Sequence, residues 1–218
     1  MNTPALHQLI QRAQQHEASS AQLARQMEAQ LSRLHPAIRL PSTDGLGVLS
    51  RFVVAYIEQV PEVLEAAHQV AREAGIEAQI KPVLQVAEQF FLQPPALMAG
   101  HEGLEGLLDE AYLAHRLVEE VNDRYIKHLG QPLIPLDTTV ANLIAHQLIG
   151  EPFANQLDEA VHHAVEGMLD DASFAQDSVQ AYRERLRDPH TEAAWQRWPC
   201  LSRQLGVELQ LDESRAAS

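Results

Sequence analysis

The sequence predicts an all-α fold, an irregular bundle of about seven helices of which four are long. Apolar residues recur at helical spacing along most of the chain, and the longest such run covers residues 103 to 129. Only residues 207 to 211 alternate in the manner of a strand, and a single strand has no partner. The 218 residues include 45% hydrophobic and 21% charged residues, a composition typical of a globular protein, so we expect one helical domain.

Residues 1 to 35 are expected to form the N-terminal helix, with helical spacing of apolar residues from residue 4 to residue 34. Glu17 falls within the apolar stripe of this helix. Its neighbours include Ser19 and Ser20 and several glutamines, so we expect its carboxylate to lie near solvent.

Proline and glycine divide the next part of the chain. Residues 35 to 47 are expected to form a loop, and residues 48 to 74 carry one continuous apolar face. Pro61 should kink or restart that helix because it removes a backbone donor, and Gly75 should end it as a C-cap. A further helix is predicted over residues 78 to 92.

The central predicted helix, residues 103 to 129, carries polar groups within its apolar face. His115 and Asn122 lie in the middle of that face, and Glu119 lies at its edge. The apolar members of the face are Leu104, Leu107, Leu108, Ala111, Val118, Tyr125, Ile126 and Leu129. Burying polar groups without partners costs about 2 kcal/mol or more, so these three must bond to one another, to another helix, to water or to a ligand.

Three more helices are predicted after the central one. A short helix follows residue 138 and carries Val140, Leu143, Ile144 and Leu148 on one face. Pro152 occupies a first helical position, so a new helix should run to about Leu169. The last long helix is expected over residues 172 to 187, and residues 189 to 218 are expected to dock onto the bundle.

The charge and composition exclude several classes of partner. A formal net charge of −14 would repel a nucleic-acid backbone and an anionic membrane surface, so neither is an expected partner. One cysteine cannot form an internal disulfide, and no segment approaches the ~20 apolar residues of a membrane span. We therefore expect a cytoplasmic protein that binds a protein partner or associates with itself, for example as a homodimer.

His115 and Glu119 are the first candidate metal ligands, because a histidine and a carboxylate four residues apart on a helix can share one metal. Catalytic metals usually have three protein ligands, and Glu17 is the candidate for the third. The metal would be iron or another divalent cation. The alternative is a hydrogen-bonded network of His115, Glu119 and Asn122 that fixes the register of the helix.

Two Glu-x-x-His units provide a second candidate metal site: Glu65-Ala-Ala-His68 and Glu159-Ala-Val-His162. Glutamates from two other helices, Glu17 or Glu28 and Glu119 or Glu120, would complete the set. In order and rough spacing the chain resembles the ferritin-like di-iron carboxylate proteins, and that resemblance implies inward-facing ligands around two metals.

On the helical wheel, the Glu-x-x-His units do not face inward as that resemblance implies. Glu65 points away from the apolar face of its helix, and His68 lies at the flank. Glu159 and His162 both lie on the side opposite the apolar face. We therefore expect these side chains to face solvent.

Three functional hypotheses follow from the sequence. The first is a non-enzymatic helical protein that binds a partner or assembles with itself. The second is a metal-binding helical oxidoreductase, ferritin-like or another non-haem iron protein, that uses His115 and Glu119. The third is a small-molecule-binding bundle in which His115 and Asn122 orient a ligand within an apolar cavity.

Overall fold

The computed structural model describes residues 2–94, 103–134 and 138–187, together with the backbone of residues 208–209. The prediction of an all-α irregular bundle is confirmed. The helices are α1 (Thr3–Ser20), α2 (Gln22–Leu31), α3 (Gly45–Glu58), α4 (Val60–Ala74), α5 (Glu77–Leu92), α6 (Gly103–Leu129), α7 (Thr139–Ile149), α8 (Glu151–Glu166), α9 (Asp171–Phe174) and α10 (Asp177–Leu186). Within these ranges no helix combines the length and the apolar character that crossing a membrane requires.

Helix α6 has the predicted bounds and lies at the centre of the bundle, in contact with α1 to α5, α7 and α8. Every residue from 106 to 115 is buried, so helices surround this half of α6 on all sides. The predicted single apolar face is therefore too narrow for the first half of the helix. At the other end the prediction is wrong for Ile126, whose side chain is 46% exposed.

The predicted N-terminal helix divides into α1 and α2 at Ala21, which adopts the left-handed conformation with φ 49°. The carboxylate of Glu17 stabilises this break. Its Oε2 accepts from the N–H of Leu23 at 2.9 Å, and its Oε1 accepts from the N–H of Ala24 at 3.3 Å. These are two of the N–H groups that the start of α2 leaves without an intrahelical partner, so Glu17 acts as the cap of α2.

The predicted restart at Pro61 and the predicted C-cap at Gly75 are confirmed. Helix α4 begins at Val60 with the proline in its first turn, where the missing N–H has no intrahelical partner to lose. Gly75 closes the same helix with φ 73°. Likewise, Pro152 lies in the first turn of α8.

The last of the three helices predicted after α6 differs from the prediction. The helix expected over residues 172 to 187 is divided into α9 and α10, because Gln176 is extended with ψ 144°.

On α7, Leu143 is expected on the buried face but is 51% exposed, whereas Ala141 and Asn142 are buried. The buried face of α7 is thus rotated relative to the predicted one.

The strand-like stretch near the C-terminus has a partner, contrary to the prediction. Strand β2 (Glu208–Leu209) pairs antiparallel with β1 (Ile38–Arg39), which lies in the loop before α3. Ile38 is opposite Leu209 in this register. The remainder of the predicted C-terminal segment, residues 189 to 218, lies outside the described residues.

Candidate ligand-binding site

His115 faces the interior, as its place in the apolar face predicted, and is 1% exposed. Its Nε2 lies 2.8 Å from the backbone carbonyl oxygen of Tyr56 on α3, and the two rings are 4.3 Å apart between centroids. Because a carbonyl can only accept, Nε2 carries the proton and donates it. Burial lowers the pKa of His115 to about 4, although the Tyr56 carbonyl and Glu119 act in the opposite direction. His115 is therefore a neutral imidazole that fixes α6 to α3.

His115 should make the stability of the protein fall in acid. Its pKa is lower in the folded chain than the 6.5 of a free histidine, so between these values the unfolded chain binds the additional proton. The stabilisation is complete above about pH 6.5 and should decline by about 3 kcal/mol as the pH falls to about 4. Urea unfolding at a series of pH values, on the wild type and on His115→Gln, measures this difference. Identical pH profiles for the two proteins would contradict the assignment of His115 as a buried, neutral imidazole.

Glu119 belongs to a group of paired side chains on α6, α7 and α8, which we call the α6–α8 polar cluster: Tyr112, Arg116, Glu119, Asn142, His146 and Asp158. Glu119 accepts from Arg116 and, at 2.5 Å, from Asn142 Nδ2. Asp158 Oδ1 accepts from Arg116 Nε and from the Tyr112 hydroxyl, both at 2.9 Å. The Tyr56 hydroxyl donates to Asn142 Oδ1 at 2.6 Å and so connects the cluster to α3.

The α6–α8 polar cluster lines a cavity of about 280 Å³. Arg116 is the cation that holds the two carboxylates of the cluster. Burial lowers the pKa of Arg116, but the hydrogen bonds and charges of Asp158 and Glu119 outweigh it and raise the pKa above the ordinary value. Since the charged groups of this cavity satisfy one another, the cluster is explained by the packing of three helices without a ligand.

The structure does not bring the predicted metal ligands together. Glu17 caps α2, and Glu119 bonds within the α6–α8 polar cluster. Asn122 forms a separate pair of bonds with Ile134, whose carbonyl accepts at 3.0 Å and whose N–H donates at 3.1 Å. In place of the predicted network of His115, Glu119 and Asn122, His115 bonds to Tyr56, Glu119 bonds to Arg116 and Asn142, and Asn122 bonds to Ile134. Among the described residues no group of three or more His, Cys, Asp or Glu side chains is placed to hold a metal.

The two Glu-x-x-His units lie on the outer surface, as the helical wheel predicted. Glu65 is exposed, and His68 Nε2 lies 3.2 Å from Glu77 Oε1. Glu159 is exposed beside His163 at 3.7 Å, and the exposed His162 lies 3.6 Å from Glu120. These four side chains do not converge on a common centre.

A larger cavity of about 390 Å³ lies between α1, α5 and the first part of α6, and we call it the Glu110 cavity. Glu110 on its wall is 7% exposed, and its Oε2 is buried without a hydrogen-bond partner. Burial, together with the charge of Asp109, raises the pKa of Glu110 to about 8. The other described residues that line it are Leu9, Arg12, Ala13, His16, Phe91, Leu92, Pro94, Gly103 and Leu107.

Sequence reasoning missed Glu110 because it lies off the apolar face assigned to α6. A signal was present in the composition, since Asp109 and Glu110 are the only charged residues between Gly106 and Ala114. A run that is apolar on every side of a helix indicates a helix surrounded by others, and charges within it are then buried.

Neither a protein-family model, nor a curated protein, nor a solved structure matches this chain.

Proposed function

We propose that the protein is a non-enzymatic helical bundle that binds a small apolar molecule in the Glu110 cavity. One observation supports this proposal above the others: the cavity wall carries Glu110, a buried carboxyl group whose Oε2 has no hydrogen-bond partner. Buried polar groups in native proteins are almost always hydrogen-bonded, and leaving one unpaired costs about 1–3 kcal/mol. A rotation of the carboxyl group that turns Oε2 toward the cavity would let a bound ligand supply the missing partner.

The cavity has the size and lining of a small-molecule site. Such sites occupy about 300–1,000 Å³ and combine apolar walls with few polar groups. Here half of the described lining residues are leucine, alanine or phenylalanine, and the ionisable ones are Arg12, His16 and Glu110.

The proposed small molecule contacts Glu110, whereas the sequence analysis expected His115 and Asn122 to orient it. Those two side chains do not line either cavity, and both bond to backbone groups. The metal hypothesis has no comparable support among the described residues. Self-association, a protein partner and a cytoplasmic location stay predictions from the sequence.

Filling the cavity tests the proposed function. Ala13 lines the cavity from α1, so Ala13→Leu places additional methyl groups in it, whereas Ala18→Leu makes the same change at an exposed position of the same helix. Octanol, octylamine and octanoate, titrated calorimetrically, present one apolar chain with three head groups. We expect at least one of them to bind, with an affinity that Ala13→Leu lowers at least about tenfold and Ala18→Leu leaves unchanged. Binding of none of the three, or equal affinity in both variants, contradicts the proposal.

A further inference from the structure

We infer that the ligand of the Glu110 cavity is an apolar amine, whose ammonium group pairs with the carboxylate of Glu110. This inference rests on the proposed function, because it specifies the chemistry of the ligand of the same cavity. Three observations support it: the unpaired Oε2 of Glu110, the neighbouring charge of Asp109, and the apolar surroundings of both the cavity and the carboxyl group.

An ammonium group fits Glu110 better than the other common head groups. It donates hydrogen bonds, which Oε2 lacks, and its positive charge is opposite to that of Asp109 and to that of the carboxylate that Glu110 forms when it ionises. A ligand carboxylate would add a negative charge near Asp109 and would oppose the ionisation of Glu110. A hydroxyl would supply a donor but no charge, and hydrogen bonds to charged groups are the stronger ones.

The basic residues among the described lining do not cancel this preference. Arg12 and His16 line the cavity from α1, and both side chains are exposed. The charge of Arg12 is therefore screened by water, whereas the Glu110 carboxyl is removed from water. From α5 the cavity receives only Phe91 and Leu92, which carry no charge.

Binding of an amine changes the protonation of Glu110. Near neutral pH the carboxyl group of the empty cavity holds its proton, because burial and Asp109 raise its pKa to about 8. When the ammonium ion enters, the carboxyl ionises, its proton leaves to solvent, and N–H···O bonds form to the carboxylate. No covalent bond changes, and about one proton is released for each amine bound.

Comparison of the wild type with Glu110→Gln tests the inference, since glutamine keeps the shape of the side chain and removes its charge. In the wild type we expect octylamine to bind at least about tenfold more tightly than octanol. In Glu110→Gln we expect the affinity for octylamine to fall at least about tenfold, while that for octanol stays within about threefold.

The proton released provides a second readout. Titration of octylamine in buffers with different ionisation enthalpies should show release of about one proton near neutral pH, and the affinity should rise as the pH approaches about 8. Both effects should persist in His16→Gln, which removes the histidine of the cavity, and should disappear in Glu110→Gln.

The outcomes separate the inference from the proposed function. Equal affinities for octylamine and octanol would show that the ligand is not an amine, although the cavity would still bind a small molecule. The same conclusion would follow if octanoate bound more tightly than octylamine and Glu110→Gln strengthened its binding. Octylamine binding without proton release would also overturn the inference. If none of the three ligands binds, the proposed function itself fails.

Discussion

Glu110→Gln is expected to stabilise the ligand-free protein by about 4 kcal/mol in mildly alkaline solution. The pKa of Glu110 is about 8 in the folded chain, compared with 4.5 for a free glutamate. Between these values the unfolded chain loses its proton while the folded chain keeps it, so the wild type loses stability as the pH rises. The loss begins above about pH 4.5 and is complete above about pH 8. Glutamine does not titrate, and the variant is spared this loss.

Urea unfolding of both proteins between acidic and alkaline pH measures the expected difference. The stability curves should converge below about pH 4.5 and separate progressively up to about pH 8. Glu28→Gln is the matched control, because it makes the same change on the exposed side of α2. A Glu110→Gln curve parallel to that of the wild type, or below it at alkaline pH, would show that Glu110 is not a buried, protonated carboxyl.

Replacing Arg116 with methionine is expected to cost about 3 kcal/mol of folding free energy. Methionine preserves much of the side-chain volume but leaves Glu119 and Asp158 without their shared cation. Both carboxylates are at least two-thirds buried, and the groups that still donate hydrogen bonds to them, Asn142 and Tyr112, are uncharged. The other neighbour of Asp158 is His146, whose Nε2 lies 3.8 Å from Oδ2. A buried charge that has lost its partner is strongly destabilising.

The matched control for Arg116→Met is Arg51→Met. Arg51 also pairs with an aspartate, Asp44 at 3.0 Å, but the two side chains are 63% and 61% exposed. An exposed pair contributes about 0–1 kcal/mol, so this variant should unfold almost as the wild type does. Acid should narrow the deficit of Arg116→Met, because protonation removes the unpaired charges. Equal effects of the two substitutions would indicate that the α6–α8 polar cluster is effectively solvated.

The elements that the sequence predicted correctly are those whose causes are local. The bounds of α6 follow from an uninterrupted helical spacing, and the ends of α4 follow from Pro61 and Gly75. The inward direction of His115 follows from its place among apolar neighbours on one helix. Each of these conclusions needs only residues within a few turns of one another.

The features that the sequence did not predict depend on contacts between distant parts of the chain. The break at Ala21 requires the Glu17 carboxylate to fold back onto Leu23 and Ala24, an arrangement that apolar periodicity does not encode. The partner of His115 is a backbone carbonyl on α3, which no side-chain pattern indicates. Glu110 was missed because its burial depends on α1 and α5 covering a side of α6 outside the assigned face.

A crystal structure of the protein with octylamine tests the binding of a small molecule in the Glu110 cavity most directly. We expect the alkyl chain to lie between Leu9, Phe91 and Leu107, with the nitrogen within hydrogen-bonding distance of the Glu110 carboxyl group. Density for the amine only at other surfaces, with the Glu110 carboxyl bonded to a group of the protein itself, would contradict the proposed site.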